Sequence, residues 1–135
     1  MRITATLALI FALMVGPAIA GPKTLLHDIR EIDDAMLWVA LALEFREKCE
    51  VIDARTLKGH WVPYALKRRA QKLGYSDADI SAYVKSPDEK ARMRKRGEAY
   101  VRARGLDPAQ PAALCALGRA EIERSSKIGV LLSSK

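Results

Sequence analysis

This chain is poor in the residues that carry most recognisable chemistry. It has two histidines and two cysteines in 135 residues, and only 6% of it is aromatic. Two cysteines cannot supply four ligands, and His27 and His60 stand at no ligand-like spacing to them, so no metal site is expected. There is no Cys-x-x-Cys-His for covalent haem and no His-Glu-x-x-His. A glycine-rich phosphate loop and a Gly-x-Ser-x-Gly elbow are also missing, so no cofactor and no catalytic residue can be named. β-branched residues are sparse and never alternate over a full strand, which argues against sheet. No repeat, low-complexity tract or linker divides the chain. Beyond residue 20, no stretch is apolar enough to span a membrane.

The longest apolar run stands at the start. Arg2 gives a positive beginning, Leu7 to Val15 is unbroken apolar sequence, and Gly16-Pro17 breaks the helix. Ala18-Ile19-Ala20 fits the small-x-small pattern that signal peptidase cuts. We therefore expect residues 1–20 to be a signal peptide and residues 21–135 a single domain that is periplasmic or secreted. The alternative, an uncleaved anchor, suffers from a short run interrupted by Gly-Pro. No cysteine adjoins the cut, so a lipid-anchored form is not expected.

Export gives the cysteines a meaning. Cys49 and Cys115 allow one intramolecular pairing, in an oxidising compartment, against free buried thiols or an intermolecular bond. The bridge would close a loop of 66 sequence steps. In the chain-entropy model such a loop stabilises by about 4 kcal/mol.

The charge is basic and unevenly spread. Residues 21–57 carry 5 basic and 8 acidic side chains, residues 58–104 carry 13 and 5, and residues 105–135 carry 4 and 3. The middle third is thus cationic. Outside the cell this points to an acidic protein or an anionic envelope component as partner, and nucleic acid is not expected.

Helical periodicity accounts for the rest. A first helix is predicted over residues 24–48, with Ile29, Ile32, Met36, Val39 and Leu43 on one face, widened by Leu37 and Leu41. A second is predicted over residues 53–73, capped by Asp53, with Leu57, Trp61, Tyr64 and Ala65 inward. Pro63 should kink or restart it, and Gly74 should stop it. Ser76-Asp77-Ala78-Asp79 opens a short third helix as a capping box. Ser86-Pro87-Asp88-Glu89 opens a fourth that Gly105 stops. A last helix is predicted over residues 111–132, with Leu114, Leu117, Gly118, Ile122, Ile128 and Leu131 or Leu132 inward. The expected fold class is all-α: a compact bundle of about five helices, with the disulfide tying the end of the first helix to the start of the last.

The pattern Cys49-x-x-Ile52-x-x-Arg55, then Leu73-Gly74-Tyr75-Ser76, then Cys115-x-x-Gly118-x-x-Glu121-Ile122, then Ile128-Gly129-x-Leu131-Leu132 covers most of the mature chain. It resembles a family of short exported alphaproteobacterial proteins with two cysteines, classed as a domain of unknown function. The resemblance implies a periplasmic helical protein with one disulfide and carries no activity to transfer.

Three constellations remain. Asp33-Asp34, with Glu31 and Glu44, reads as a solvated acidic helix start, because adjacent helical residues point about 100° apart and no histidine stands by to split their pKa values. His60-Trp61 with Pro63-Tyr64 is the densest aromatic patch. It reads as core at a helix kink, or as a binding groove near Lys67, Arg68 and Arg69. Lys90, Arg92, Arg94, Lys95 and Arg96 form the strongest charge run, either a solvated face or, with Lys67, Arg68 and Arg69, a basic interaction surface. Cys49 would serve as a nucleophile only if it stayed reduced beside a base. The expected function is non-enzymatic binding of another macromolecule. The alternatives are a periplasmic stress chaperone, an envelope protein held on anionic lipid, and an enzyme with an unrecognised site. Ala91, Ala99 and Ala103 offer a small-residue face to a neighbouring helix.

Overall fold

In α1 (Arg30–Lys48) the residues Asp33, Leu37, Leu41 and Phe45 recur every four positions, so they form one row, and that row is buried. The computed structural model describes residues 23–135; the expected leader and cleavage point lie outside the described residues. Helix α1 is the centre of the molecule, and α2 (Thr56–Lys72), α4 (Pro87–Arg102) and α5 (Pro111–Glu123) all pack on it. Helix α3 (Asp77–Lys85) joins α2 to α4. The five α-helices among the described residues and the Cys49–Cys115 disulfide match the expected all-α bundle.

Helix α1 begins later than its periodicity predicts. Leu26–Asp28 form a single 3-10 turn and Ile29 is extended, so the chain bends before Arg30. The bend tucks Leu26 into a small core with Ile32 and Ala70, flanked by Tyr75, Ile80 and Tyr83. The main core gathers Phe45, Ile52, Val101, Leu114, Leu117, Ile128 and Leu132. Leu43, expected inward, is exposed.

Strands do occur. β1 (Ile52–Ala54) pairs antiparallel with β2 (Leu132–Ser134), Ile52 opposite Ser134 and Ala54 opposite Leu132. Three residues are too few to show an alternating pattern, so periodicity could not detect them. Ile52 and Leu132 are both buried, which fixes the register. Asp53 lies in this strand instead of capping α2, and Arg55 donates from Nε to the Leu132 carbonyl at 2.8 Å.

Helix α2 runs unbroken through Pro63. Pro63 is itself exposed and deprives only the solvent-exposed Gly59 carbonyl of a hydrogen-bond donor, so the helix neither stops nor restarts. Its end is a Schellman turn: Gly74 has φ +91°, and Tyr75 N–H bonds the Ala70 carbonyl at 3.1 Å. Ser76 and Asp79 form the expected capping box on α3, and the Ser86 hydroxyl accepts from Glu89 N–H at the start of α4.

The last helix is shorter than predicted. α5 stops at Glu123 in the same kind of turn, but the left-handed residue is Ser125, at φ 50°. Ser126 N–H bonds the Glu121 carbonyl at 3.2 Å. The chain then doubles back over α5 through Ile128 and a second 3-10 turn, Gly129–Leu131, into β2. Gly129 lies so close to α5 that a Cβ there would stand 1.8 Å from the Glu121 carbonyl oxygen. Ile128, Leu131 and Leu132 are therefore inward, as expected, but on a returning segment and not on a helix.

Cys49 caps the end of α1 and Cys115 stands in the early part of α5, with their Cα atoms 4.9 Å apart. The bond lies beside the main core and holds the first and last long helices together.

Candidate functional site

Two buried carboxylates organise the polar interior. Asp33 occupies the first position of the buried α1 row, where an aliphatic residue would be expected. Its carboxylate accepts from the guanidinium groups of both Arg92 and Arg96 on α4, and from the Tyr83 hydroxyl of α3 at 3.0 Å. Arg96 also reaches Asp34 at 2.6 Å, and Arg92 reaches Glu89 at 2.8 Å. His27 Nδ1 lies 2.5 Å from Glu89, which ties the N-terminal turn to the same network. Burial alone would raise the Asp33 pKa, but the Arg92 and Tyr83 hydrogen bonds and the arginine charges hold it below the usual carboxylate range. Burial, then the neighbouring Asp33 charge, pushes the Tyr83 phenol up to about 12. The expectation of a solvated acidic helix start thus fails for Asp33, because α4 supplies two cations that cover it.

Glu121 is the second such group. It follows Leu114, Leu117 and Gly118 on the inward face of α5 and is fully buried. Its carboxylate accepts from Tyr100 at 2.6 Å and from Arg124, while Arg104 stands 3.7 Å away. Burial opposes its ionisation, yet the bonds from Arg124, Ser126 and Tyr100 keep its pKa low. Both carboxylates are fixed as anions between helices. That chemistry suits holding elements together rather than moving protons.

Among the described residues, two open surfaces are largely apolar. One is a groove of about 400 Å³ between α1 and α4. Met36, Val39 and Leu43, three of the five residues of the expected inward stripe of α1, face Val84 and Met93 across it, with Glu44 and Lys90 at its edges. The other is the outer face of α2. Leu57, Trp61 and Tyr64 are 89%, 67% and 55% exposed, and the two rings lie 6.0 Å apart. Leu57, Trp61 and Tyr64 were expected to face inward, with a binding groove at Trp61 and Tyr64 as the alternative. The structure seats α2 on α1 with its opposite side, through Val62, Leu66 and the buried Ala70, and leaves the aromatic patch and Ala65 outside. Trp38 is not part of this patch. It packs against the main core, with the Lys127 ammonium 5.9 Å over its ring.

The basic residues singled out in the sequence divide accordingly. Lys67, Arg68 and Arg69 are together and exposed on α2, where Lys67 pairs with Asp77 and Arg69 with Glu31. Lys90, Arg94 and Lys95 are exposed on α4, and Lys90 and Arg94 border the groove. Arg92 and Arg96 turn inward to Asp33. Ala91, Ala99 and Ala103 are exposed. Among the described residues no cluster of His, Cys, Asp and Glu is placed to hold a metal, and no helix is long and apolar enough to cross a membrane.

Sequence reasoning missed Tyr83, Tyr100, Glu121 and Arg124 as members of ionic networks. The available signal was an acid in register with a buried row: Asp33 four before Leu37, and Glu121 three after Gly118.

These features define a small, disulfide-tied helical domain with buried ion clusters. The chain belongs to DUF5333, a family of unknown function, whose profile matches residues 24–133. No curated protein and no solved structure matches it.

Proposed function

We propose that this is an exported, non-catalytic binding protein of the periplasm or exterior, which docks on an anionic macromolecular partner through the outer face of α2. The leader-like N-terminus and a disulfide suited to an oxidising compartment support export. So does the resemblance to short exported alphaproteobacterial proteins. The observation that carries the docking is the composition of α2. It holds Lys58, Lys67, Arg68, Arg69 and Lys72, no acidic residue, and, in Leu57 and Trp61, the two most exposed large apolar side chains among the described residues. A helix that served only as scaffold would turn its Trp and Leu toward α1.

The test is retention of purified protein on isolated cell envelopes at graded salt. From about 0.1 M to about 1 M the screening length falls from about 10 Å to about 3 Å, and retention should be lost over that range. The Lys67→Glu, Arg68→Glu pair should abolish it at low salt, whereas Arg119→Glu on α5 should not. Equal retention of both variants would sink the proposal.

A further inference from the structure

The composition of α2 also selects the kind of anionic partner. Leu57, Trp61, Tyr64, Arg68 and Lys72 follow one another at intervals of four, three, four and four residues, so they share one side of the helix. All five are exposed. The outer side of α2 is therefore apolar over its first half and cationic over its second. The inward side, Val62, Leu66 and Ala70, is narrow, so α2 stands as a convex ridge on α1.

From this we infer that α2 seats on an anionic phospholipid bilayer, with Leu57, Trp61 and Tyr64 in the acyl–headgroup boundary and Arg68 and Lys72 among the lipid phosphates. This inference rests on the reading of α2 as a docking surface and names its partner.

Three observations favour a bilayer over a protein. A stable protein interface buries about 800 Å² on each side, which three side chains on a ridge do not provide. The charge on α2 is of one sign, which suits the uniformly anionic headgroup surface of a bilayer. Trp and Tyr are the residues that settle at membrane–water boundaries, where a ring is apolar and its N–H or O–H remains wet. A basic helical ridge lying in the boundary needs no concave receptor. Among the described residues Lys58, Arg68 and Lys72 have no ion-pair partner, so their charge is available to phosphates.

The experiment uses residues 21–135, which contain both cores, in a Trp38→Phe background so that Trp61 is the sole indole. The chain is mixed with vesicles of phosphatidylcholine alone or with phosphatidylglycerol added. With anionic vesicles only, Trp61 emission should move to shorter wavelength and be quenched by brominated acyl chains. Arg68→Gln with Lys72→Gln should lower vesicle affinity about 20-fold at low salt. Leu57→Ser with Tyr64→Ser should lower it at least about 10-fold in a sedimentation assay. Both pairs are on the surface, and unchanged circular dichroism will show that they fold.

No change in Trp61 with anionic vesicles overturns the inference. If soluble polyglutamate is still bound through Arg68 and Lys72, docking on an acidic macromolecule survives without lipid; if neither binds, both readings fail. Equal binding to neutral vesicles overturns the charge argument. A lipid-free dimer that Leu57→Ser and Tyr64→Ser dissolve would show that a second copy covers the ridge, and would overturn it too.

Discussion

Replacing Asp33 by asparagine keeps the shape of a buried side chain and removes its charge. The consequence follows from what surrounds it. The Asp33 side chain is 8% exposed and sits between two arginine side chains that are each 31% exposed. Without the carboxylate, Arg92 keeps Glu89 and Arg96 keeps Asp34, but the anion shared between the two guanidinium groups is gone, and only the Arg96–Asp34 pair of this cluster still ties α4 to α1. Breaking a fully buried ion pair costs about 3–5 kcal/mol. The arginines can turn partly to water, and asparagine still offers Tyr83 an acceptor, so we expect a loss of about 2–3 kcal/mol. For a domain of this size that lowers Tm by roughly 10 °C. Urea unfolding followed by circular dichroism will measure it. Glu31→Gln is the control, because its pair with Arg69 lies in solvent and should contribute less than about 0.5 kcal/mol.

The pH dependence tests the cause. The folded Asp33 pKa is held below its unfolded value, about 3.9. The stability it contributes is fully present above that value and is lost as pH falls through the lower folded pKa. Glu89 and Glu121 are shifted the same way, so the wild-type curve alone will not isolate Asp33. The difference between wild type and Asp33→Asn will. It should be constant from about pH 5 to neutrality and shrink below about pH 4. A cycle with Arg92→Gln should show coupling of about 1–2 kcal/mol. A neutral-pH loss under about 0.5 kcal/mol, or a difference that ignores pH, would refute the reasoning and mean that the arginines are held elsewhere.

Four further outcomes follow from the packing. Reducing the disulfide, or changing Cys49 and Cys115 to serine, should lower stability by about 4 kcal/mol, read as a lower urea midpoint. Gly129→Ala should cost about 3 kcal/mol or more, because the new Cβ meets the fixed backbone of Glu121, and it should reduce soluble yield. Gly118→Ala should cost less, about 1–2 kcal/mol, since its Cβ meets the side chains of Ile52 and Phe45, which can shift; thermal melts of the two variants will rank them. Ser125→Gly should stabilise by about 0.5–1 kcal/mol by relieving a left-handed serine, and no gain in Tm would mean that its side chain compensates the strain.

The helix boundaries that the sequence announces are those written in residues with one dominant physical role. Gly74 and Gly105 take positive φ, Ser76 and Ser86 cap, and Pro87 and Pro111 start helices, and each does so in the structure. The boundaries that stay hidden use a residue outside its usual role. Ser125 fills a position where glycine is the common choice, so the predicted helix ran on to residue 132. Leu26 bends the chain before α1 only because Ile32 and Ala70 leave a pocket for it, and no local signal encodes that. The two strands owe their existence to each other across 80 residues.

Helix α2 shows why the candidate site was the least legible part. Two stripes at helical spacing run along it: Leu57, Trp61 and Tyr64 on one side, Val62, Leu66 and Ala70 on the other. Periodicity gives both equally, and hydrophobic size favours the first. The packing chooses the second, because Ala70 is small enough to let α2 approach Ile32 of α1 and Leu26 of the turn before it, where a Trp would hold it away. The same logic runs in reverse at Asp33. A charge in register with Leu37, Leu41 and Phe45 marks a place where the core receives a partner from another helix, and Arg92 and Arg96, four apart on α4, are spaced to supply it. An apolar stripe turned outward and an acid turned inward are both departures from simple partition. The inward acid is answered within the chain; the outward stripe has no answer among the described residues, and that asymmetry is what directs the search for function to α2.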